Sequence, residues 1–326
     1  MKRVRIGLTL PQGWLDEFPS ARPNEQFLFC KRVAQAAERL GYDAGYVYDH
    51  FVPYYGGNTG GPFLEAYTLL SAVASVTSKL RIGQVVTCNS YRHPSLLAKM
   101  TSTLDAISNG RLEFGIGAGW FEKEYLSYGY RFDAASARIE QLDESISIIR
   151  RMWTKERASF EGRHYSIRNA ACSPKPVQVP HPPVMVGGGG QRLMEVVARH
   201  ATRYNHPFGT PRILEEKVAL LERKCRAIRR DPGEIESSVL LRVLVGRDGD
   251  EIKQVISTLK KKNESITEFI LRSKDSIAIG TPDEVAGYLE RYRKIGISYF
   301  IVNFVGLSRS LGMLSTFSRK VAPSLR

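Results

Sequence analysis

Cysteine is scarce in this chain of 326 residues, with only Cys30, Cys88, Cys172 and Cys225, all far apart. None pairs as C-x-x-C and none stands near a histidine at ligand spacing. A disulfide framework and a cysteine metal site are therefore not expected, and the chain reads as a reduced, cytoplasmic protein. Long apolar runs are missing too. None approaches the roughly 20 residues needed to cross a bilayer, so no membrane role is expected. The start, MKRVRIGLTLPQG, is basic and then apolar, like a signal peptide. Its apolar part is short, and Pro11 and Gln12 interrupt it, so it reads as a first strand. Acidic residues are in deficit, 33 against 47 Lys and Arg, which gives a formal net charge of +14. Such an excess raises the question of nucleic acid. However, the basic residues are spread along the chain, and the densest run, Lys260-Lys261-Lys262, reads as a solvated helix face. No nucleic-acid partner is expected; a diffuse positive field suits a small polyanionic ligand instead. The six histidines form no visible metal set. G-x-S-x-G and Walker A patterns are absent, which argues against a serine hydrolase and a P-loop enzyme.

What is present is alternation. Short β-rich apolar runs occupy residues 4–10, 44–48, 80–87, 111–116, 183–186, 203–206, 239–245 and 299–304. Helical spacing fills 27–40, 63–76, 94–107, 138–153, 191–199, 212–229, 250–261 and 282–295. Gly41 suits a helix end, and Pro62 suits the first turn of the helix over 63–76. Continuous apolar strands are those of a parallel sheet covered on both faces. The pattern admits a doubly wound sheet or a (β/α)8 barrel, and close to eight units favour the barrel. Residues 115–120 read GIGAGW, where Trp120 stands in place of the last glycine of the dinucleotide fingerprint G-x-G-x-x-G, so that match fails. The expected fold is α/β, a TIM barrel in one domain over 1–326. An excursion at about 154–182 carries a short hairpin near 160–167.

In such a barrel the site lies at the C-terminal strand ends. The second strand, in AGYVYDHF, stops at Asp49-His50. The fifth runs into Gly187, Gly188, Gly189 and Gly190 and then a helix, which exposes free N–H groups at a helix start, a ready anion site. Gly117 and Gly119 suggest backbone close to a flat ligand, with Trp120 beside it. Bland alternatives stand next to each. His50 could cap a strand, Asp49 could serve a turn, the glycines could only turn the chain, and Trp120 could pack in the core. Glu124, on a helical turn, reads as a solvated side chain.

Four segments together resemble the luciferase-like monooxygenase superfamily, most closely its branch using the deazaflavin coenzyme F-420. They are YVYDHF (46–51), LRIGQVVTCNSYRHPSLLAKMTSTLDAISNGRLEFGIGAGWFEKEY (80–125), PPVMVGGGGQRLMEVVARHA (182–201) and AIGTPDEVAGYLERYRKIGISYFIVNF (278–304). The resemblance implies a bacterial-luciferase-like TIM barrel with insertions, a homodimer, and hydride transfer between C5 of the deazaflavin and a small organic substrate. It places Asp49 and His50 by the ring, with His50 as general acid or base and Asp49 raising its pKa or orienting it. It puts a non-prolyl cis bond at Gln84-Val85 against the ring face, with Thr87 and Asn89 at the same strand end. Gly117 and Gly119 approach the ring and its side chain, and Gly187 to Gly190 hold the cofactor phosphate. Relatives often carry Asp where this chain has Thr202. Another branch of the superfamily uses FMN and oxygen, so an FMN-dependent monooxygenase is the alternative; a non-catalytic deazaflavin- or flavin-binding protein is the reading from another class.

Overall fold

Eight parallel strands close on themselves in the computed structural model, which describes residues 3–15, 17–18, 22–54 and 61–326. They are β1 (Arg5–Thr9), β2 (Ala44–Val47), β3 (Arg81–Gln84), β4 (Leu112–Gly117), β5 (Val184–Gly187), β6 (Arg203–Pro207), β7 (Glu236–Val245) and β8 (Tyr299–Phe304). Each pairs with the next in chain order. β8 returns to β1, with Tyr299 opposite Arg5. Eight strands of this kind make a (β/α)8 barrel, as the alternation predicts.

The strands are buried on both faces because helices cover the outside and side chains fill the inside. Helix Pro23–Arg39 buries Phe29, Cys30, Val33, Ala34 and Ala37 along one stripe. It is followed by Gly41 at φ 76°, a left-handed position that favours glycine. Inside the barrel, Tyr46 and Tyr299 meet hydroxyl to hydroxyl at 2.8 Å, among Ala44, Met185, Leu240 and Ile301. Beneath them Glu113, 1% exposed, takes Arg5 at 3.1 Å as well as Arg81 and Arg203. This plug closes the N-terminal half and leaves the C-terminal mouth open.

Several local expectations change. Pro62 does not open the second helix. That helix runs Ala66–Val76, and its N-cap is Glu65, whose carboxylate accepts the N–H groups of Tyr67 and Thr68. The third strand is not continuous over 80–87: β3 ends at Gln84, and pairing with β4 resumes at Thr87–Cys88. Helix Ile266–Ser273 and strand Ile277–Gly280, which pairs with the upper part of β7, were not legible in the sequence. The four-residue strand is too short for its period to separate from a turn. The excursion holds the antiparallel hairpin Arg157–Glu161 and Ser166–Ala171. Glu144 of helix Ala135–Thr154 accepts N–H groups of Arg163, His164 and Tyr165 and ties the hairpin down. Thr202, at the departure from the family pattern, links β5 and β6 through its hydroxyl: it accepts Val184 N–H at 3.0 Å and donates to Val184 O at 3.3 Å. Among the described residues no helix is long and apolar enough to cross a membrane.

Candidate active site

A cavity of about 520 Å³ opens at the C-terminal mouth. Part of its wall is aromatic, from Trp14, Tyr48, Tyr54, Trp120, Phe121 and Phe208. Of the residues expected at the site, Asp49, His50, Val85, Thr87, Gly117, Gly119, Trp120 and Gly187 to Gly190 all line it. Gln84 and Asn89 do not; both are buried. The two amide atoms of Gln84 have no hydrogen-bond partner among the described residues.

The pairing of Asp49 with His50 is the main correction. Both stand just beyond β2, and the two find different partners. Asp49 takes Arg92 in a bidentate grip, at 2.8 and 3.0 Å, and accepts the N–H of Cys88 at 2.8 Å. Burial pushes its carboxyl up, while Arg92 and the Cys88 N–H pull the other way. Arg92 reaches on to Glu65 at 2.7 Å. Asp49 thus ties the end of the second strand to the loop after the third.

The partner of the His50 imidazole is Glu124, at 2.8 Å from Nδ1. The sequence reads Glu124 as solvated, yet it is 1% exposed. Its residue type gives no sign of this; only the fold turns the short helix Glu122–Ser127 inward. Glu124 also accepts Tyr91 O–H at 2.5 Å and the N–H groups of Phe51 at 2.7 Å and Val52 at 3.2 Å. A carboxylate so placed takes Nδ1–H of the imidazole, which leaves Nε2 as the ring's second proton site. Trp14 stacks on the imidazole, ring centroids 4.3 Å apart and planes 21° apart, and Trp120 meets it edge-on at 5.8 Å. The ring is fixed on three sides.

Burial alone would raise the Glu124 carboxyl, but the hydrogen bonds from His50, Tyr91 and Phe51 N–H outweigh it and leave its pKa lowered. A lowered folded-state pKa gives stability that is present above the unfolded value, about 4.3, and is lost as pH falls through the folded value. The melting-temperature gap between wild type and Glu124→Gln is therefore expected to narrow as pH is taken from about 6 to about 3. A gap that stays constant would show that the charge does not stabilise the fold.

A cis peptide bond occurs at Val85-Val86, one residue beyond the expected Gln84-Val85. The Val86 side chain fills the space that side chains at Gly117 and Gly187 would need, while at Gly115 the Gln84 carbonyl oxygen stands in the way. A Cβ on Gly117 would lie 2.8 Å from Val86 Cγ2, and one on Gly187 would lie 2.8 Å from Val86 Cγ1. Gly119, at φ 76°, would drive a Cβ into the Tyr125 hydroxyl. These four glycines are accounted for by the protein's own packing. Gly189 and Gly190 differ. A Cβ on Gly190 meets nothing within 4 Å, and one on Gly189 meets only His206 Nε2, at 4.0 Å. Neither has a left-handed φ. Cys88 is not a nucleophile: burial pushes its thiol up to about 12, and it contacts the Tyr125 hydroxyl at 2.9 Å. Among the described residues no group of three or more His, Cys, Asp or Glu could hold a metal ion.

Sequence reasoning missed Glu124, Val86, Arg138 and, apart from Trp120, the aromatic side chains of the wall. Arg138, 8% exposed, lines the cavity with its guanidinium over the Phe132 ring at 3.9 Å. Glu124 and Arg138 carried no local signal, because helices outside the strands bring them to the site.

Known proteins share this fold. An F420-dependent glucose-6-phosphate dehydrogenase of Segniliparus rotundus is 29% identical over 318 residues, covering 89% of this chain and 92% of the relative. An FMNH(2)-dependent dimethylsulfone monooxygenase of Pseudomonas putida is 24% identical, covering 91% and 87%. A solved F420-dependent secondary alcohol dehydrogenase, in complex with an F420-acetone adduct, superposes with a TM-score of 0.80 at 20% identity, over 100% of both chains. At that identity the superposition speaks for the fold. The description "Luciferase-like monooxygenase" matches residues 15–299. With its closed barrel and its aromatic mouth, this chain is therefore an enzyme that belongs to the luciferase-like monooxygenase family.

Proposed function

We propose that the protein is an F-420-dependent oxidoreductase acting on a small organic substrate, with His50 as its proton acceptor and donor. The observation that carries this reading is the His50–Glu124 pair. It presents a fixed imidazole to a cavity that also ends in an open glycine loop.

The residues fit such a cofactor. The loop has room where Gly189 and Gly190 lack side chains. The N–H groups of Gly189, Gly190, Gln191 and Arg192 donate to no described residue, and helix Leu193–His200 begins just beyond them. That arrangement suits a phosphate, and Arg138 adds a cation to the lining. Val85, Val86 and Trp120 give a flat ring apolar contact. When bound, the deazaflavin supplies the hydride chemistry at C5.

The chain's own contribution is proton transfer and placement. For an alcohol-class substrate, His50 Nε2 takes the hydroxyl proton as the carbon gives up its hydride, and returns it in the reverse direction. Glu124 holds Nδ1–H throughout, so the ring offers one nitrogen and one orientation. It also stabilises the imidazolium that forms. The aromatic wall excludes water and holds the substrate close, which supplies proximity and orientation. Asp49 acts indirectly, by fixing through Arg92 the backbone on which His50 and the Thr87–Cys88 end stand.

The test is equilibrium binding of F-420 and, separately, FMN, followed by fluorescence. Tighter binding of F-420 supports the reading. Preference for FMN, with oxygen uptake in the presence of reduced FMN and a substrate, supports the monooxygenase reading that the dimethylsulfone monooxygenase relative brings. Gly190→Val is expected to fold normally, since nothing lies within 4 Å of its Cβ. It should weaken cofactor binding at least tenfold, about 1.4 kcal/mol. Undiminished binding would move the phosphate away from this loop.

A further inference from the structure

The imidazole of His206 lies beneath the glycine loop and takes no part in the chemistry assigned to His50. It is 6% exposed, on β6, with its ring edge-on to Tyr204 at 5.9 Å. Nδ1 meets the carbonyl oxygen of Phe208 at 3.2 Å; a carbonyl only accepts, so Nδ1 carries the proton. Nε2 is left as a buried acceptor with no partner among the described residues. It is the atom nearest to the missing side chain of Gly189. A buried polar atom without a partner costs free energy, so its retention calls for a partner that arrives later.

The surroundings say what that partner is. Lys217, from helix Pro211–Ala227, donates to Gly189 O at 2.7 Å and is the charged group facing His206. Tyr204, the titratable neighbour on the same strand, donates to Gly188 O at 2.8 Å. The loop itself carries no charge. Helix Leu193–His200 presents its unpartnered N–H end on the other side. Apart from His206, the side chains that reach the loop, Lys217 and Tyr204, are donors.

We infer that His206 is a phosphate-binding residue, taking up a proton at Nε2 as a phosphate anion settles over Gly189 and Gly190, and so coupling ligand binding to pH. The proton is balanced simply: one is drawn from solvent, no covalent bond to the ligand forms, and Nε2–H donates to a phosphate oxygen. Burial, helped by the Lys217 charge, holds the imidazole below its ordinary pKa, and an anion beside Nε2 would draw it back up. The inference rests on the reading that the glycine loop holds the cofactor phosphate, but it does not depend on which ring the cofactor carries.

The experiment compares each cofactor with its phosphate-free ring: F-420 with its deazaflavin core, and FMN with riboflavin. Dissociation constants are measured at about pH 6 and pH 8 for wild type and His206→Gln. In wild type the preference for the phosphorylated ligand should grow as pH falls, by at most tenfold per pH unit for one linked proton. In His206→Gln an amide N–H donates without titrating, so binding should persist while that pH dependence flattens. FMN's own phosphate titration is common to both proteins and cancels between them. A merely structural histidine would lower the melting temperature and leave the pH slope of the preference unchanged. Equal slopes in the two proteins would overturn the inference, as would no preference for either phosphorylated ring over its phosphate-free form. If FMN shows the effect and F-420 does not bind, the inference stands and the proposed F-420 function falls.

Discussion

Replacing His50 by alanine is expected to cut turnover by roughly 10²- to 10⁴-fold, the range over which a positioned acid–base group contributes. Cofactor affinity should change little, because the glycine loop lies on other strands. Folding should also survive, since the imidazole packs on Trp14 near the mouth and not in the barrel plug. Glu124→Gln should give a smaller loss. An amide still lies beside Nδ1, but it no longer stabilises the imidazolium or dictates which nitrogen carries the proton. The ordering His50→Ala worse than Glu124→Gln, with cofactor binding intact in both, is the signature of proton transfer through His50 oriented by Glu124. Full activity in a folded His50→Ala protein would take the imidazole out of the mechanism. The measurement is steady-state turnover followed by F-420 absorbance, together with an independent binding titration.

Removing the guanidinium of Arg92 should be the most destabilising single change at the site. Arg92→Met leaves the Asp49 carboxylate 2% exposed with only the Cys88 N–H to compensate it. Breaking a buried ion pair by deleting one partner costs about 3–5 kcal/mol, against less than about 1 kcal/mol for an exposed pair. The expected result is a fall in melting temperature of several degrees, with the denaturant midpoint moving in step. Combining Arg92→Met with Asp49→Asn should recover much of the loss, because no uncompensated charge is then buried. If Arg92→Met cost no more than a surface substitution, the bidentate contact would not be holding the strand end. This pair also separates the two members of the Asp49-His50 doublet experimentally. Disrupting Asp49 should read out first as stability, and disrupting His50 as turnover.

The two predictions together change what the sequence doublet means. Side by side in the chain, an acid and a histidine suggest one proton-transfer unit. In the fold they belong to two networks. The imidazole answers to Glu124, 74 residues away in the chain, and the carboxylate to Arg92, 43 residues away. Neither partner could be named from spacing.

What the sequence determined by itself was the architecture and the end of it that works. Eight short apolar runs separated by amphipathic helices have few ways to bury every strand on both faces, and a closed parallel barrel does so. Once that is granted, polar and glycine-rich segments at the strand ends must share one mouth, which is why Asp49, His50, Gly117 and Gly187 to Gly190 could be gathered in advance. Tertiary structure alone decided who meets whom. It buried Glu124 behind His50, shifted the cis bond to Val85-Val86, and explained Gly117 and Gly187 by the bulk of Val86. It left Gly189 and Gly190 as the ones whose missing side chains the protein does not fill. The physical reason is that strand and helix periods are local properties, legible within a few residues. Hydrogen-bond partners and side-chain space are set by segments that the barrel brings together from across the chain.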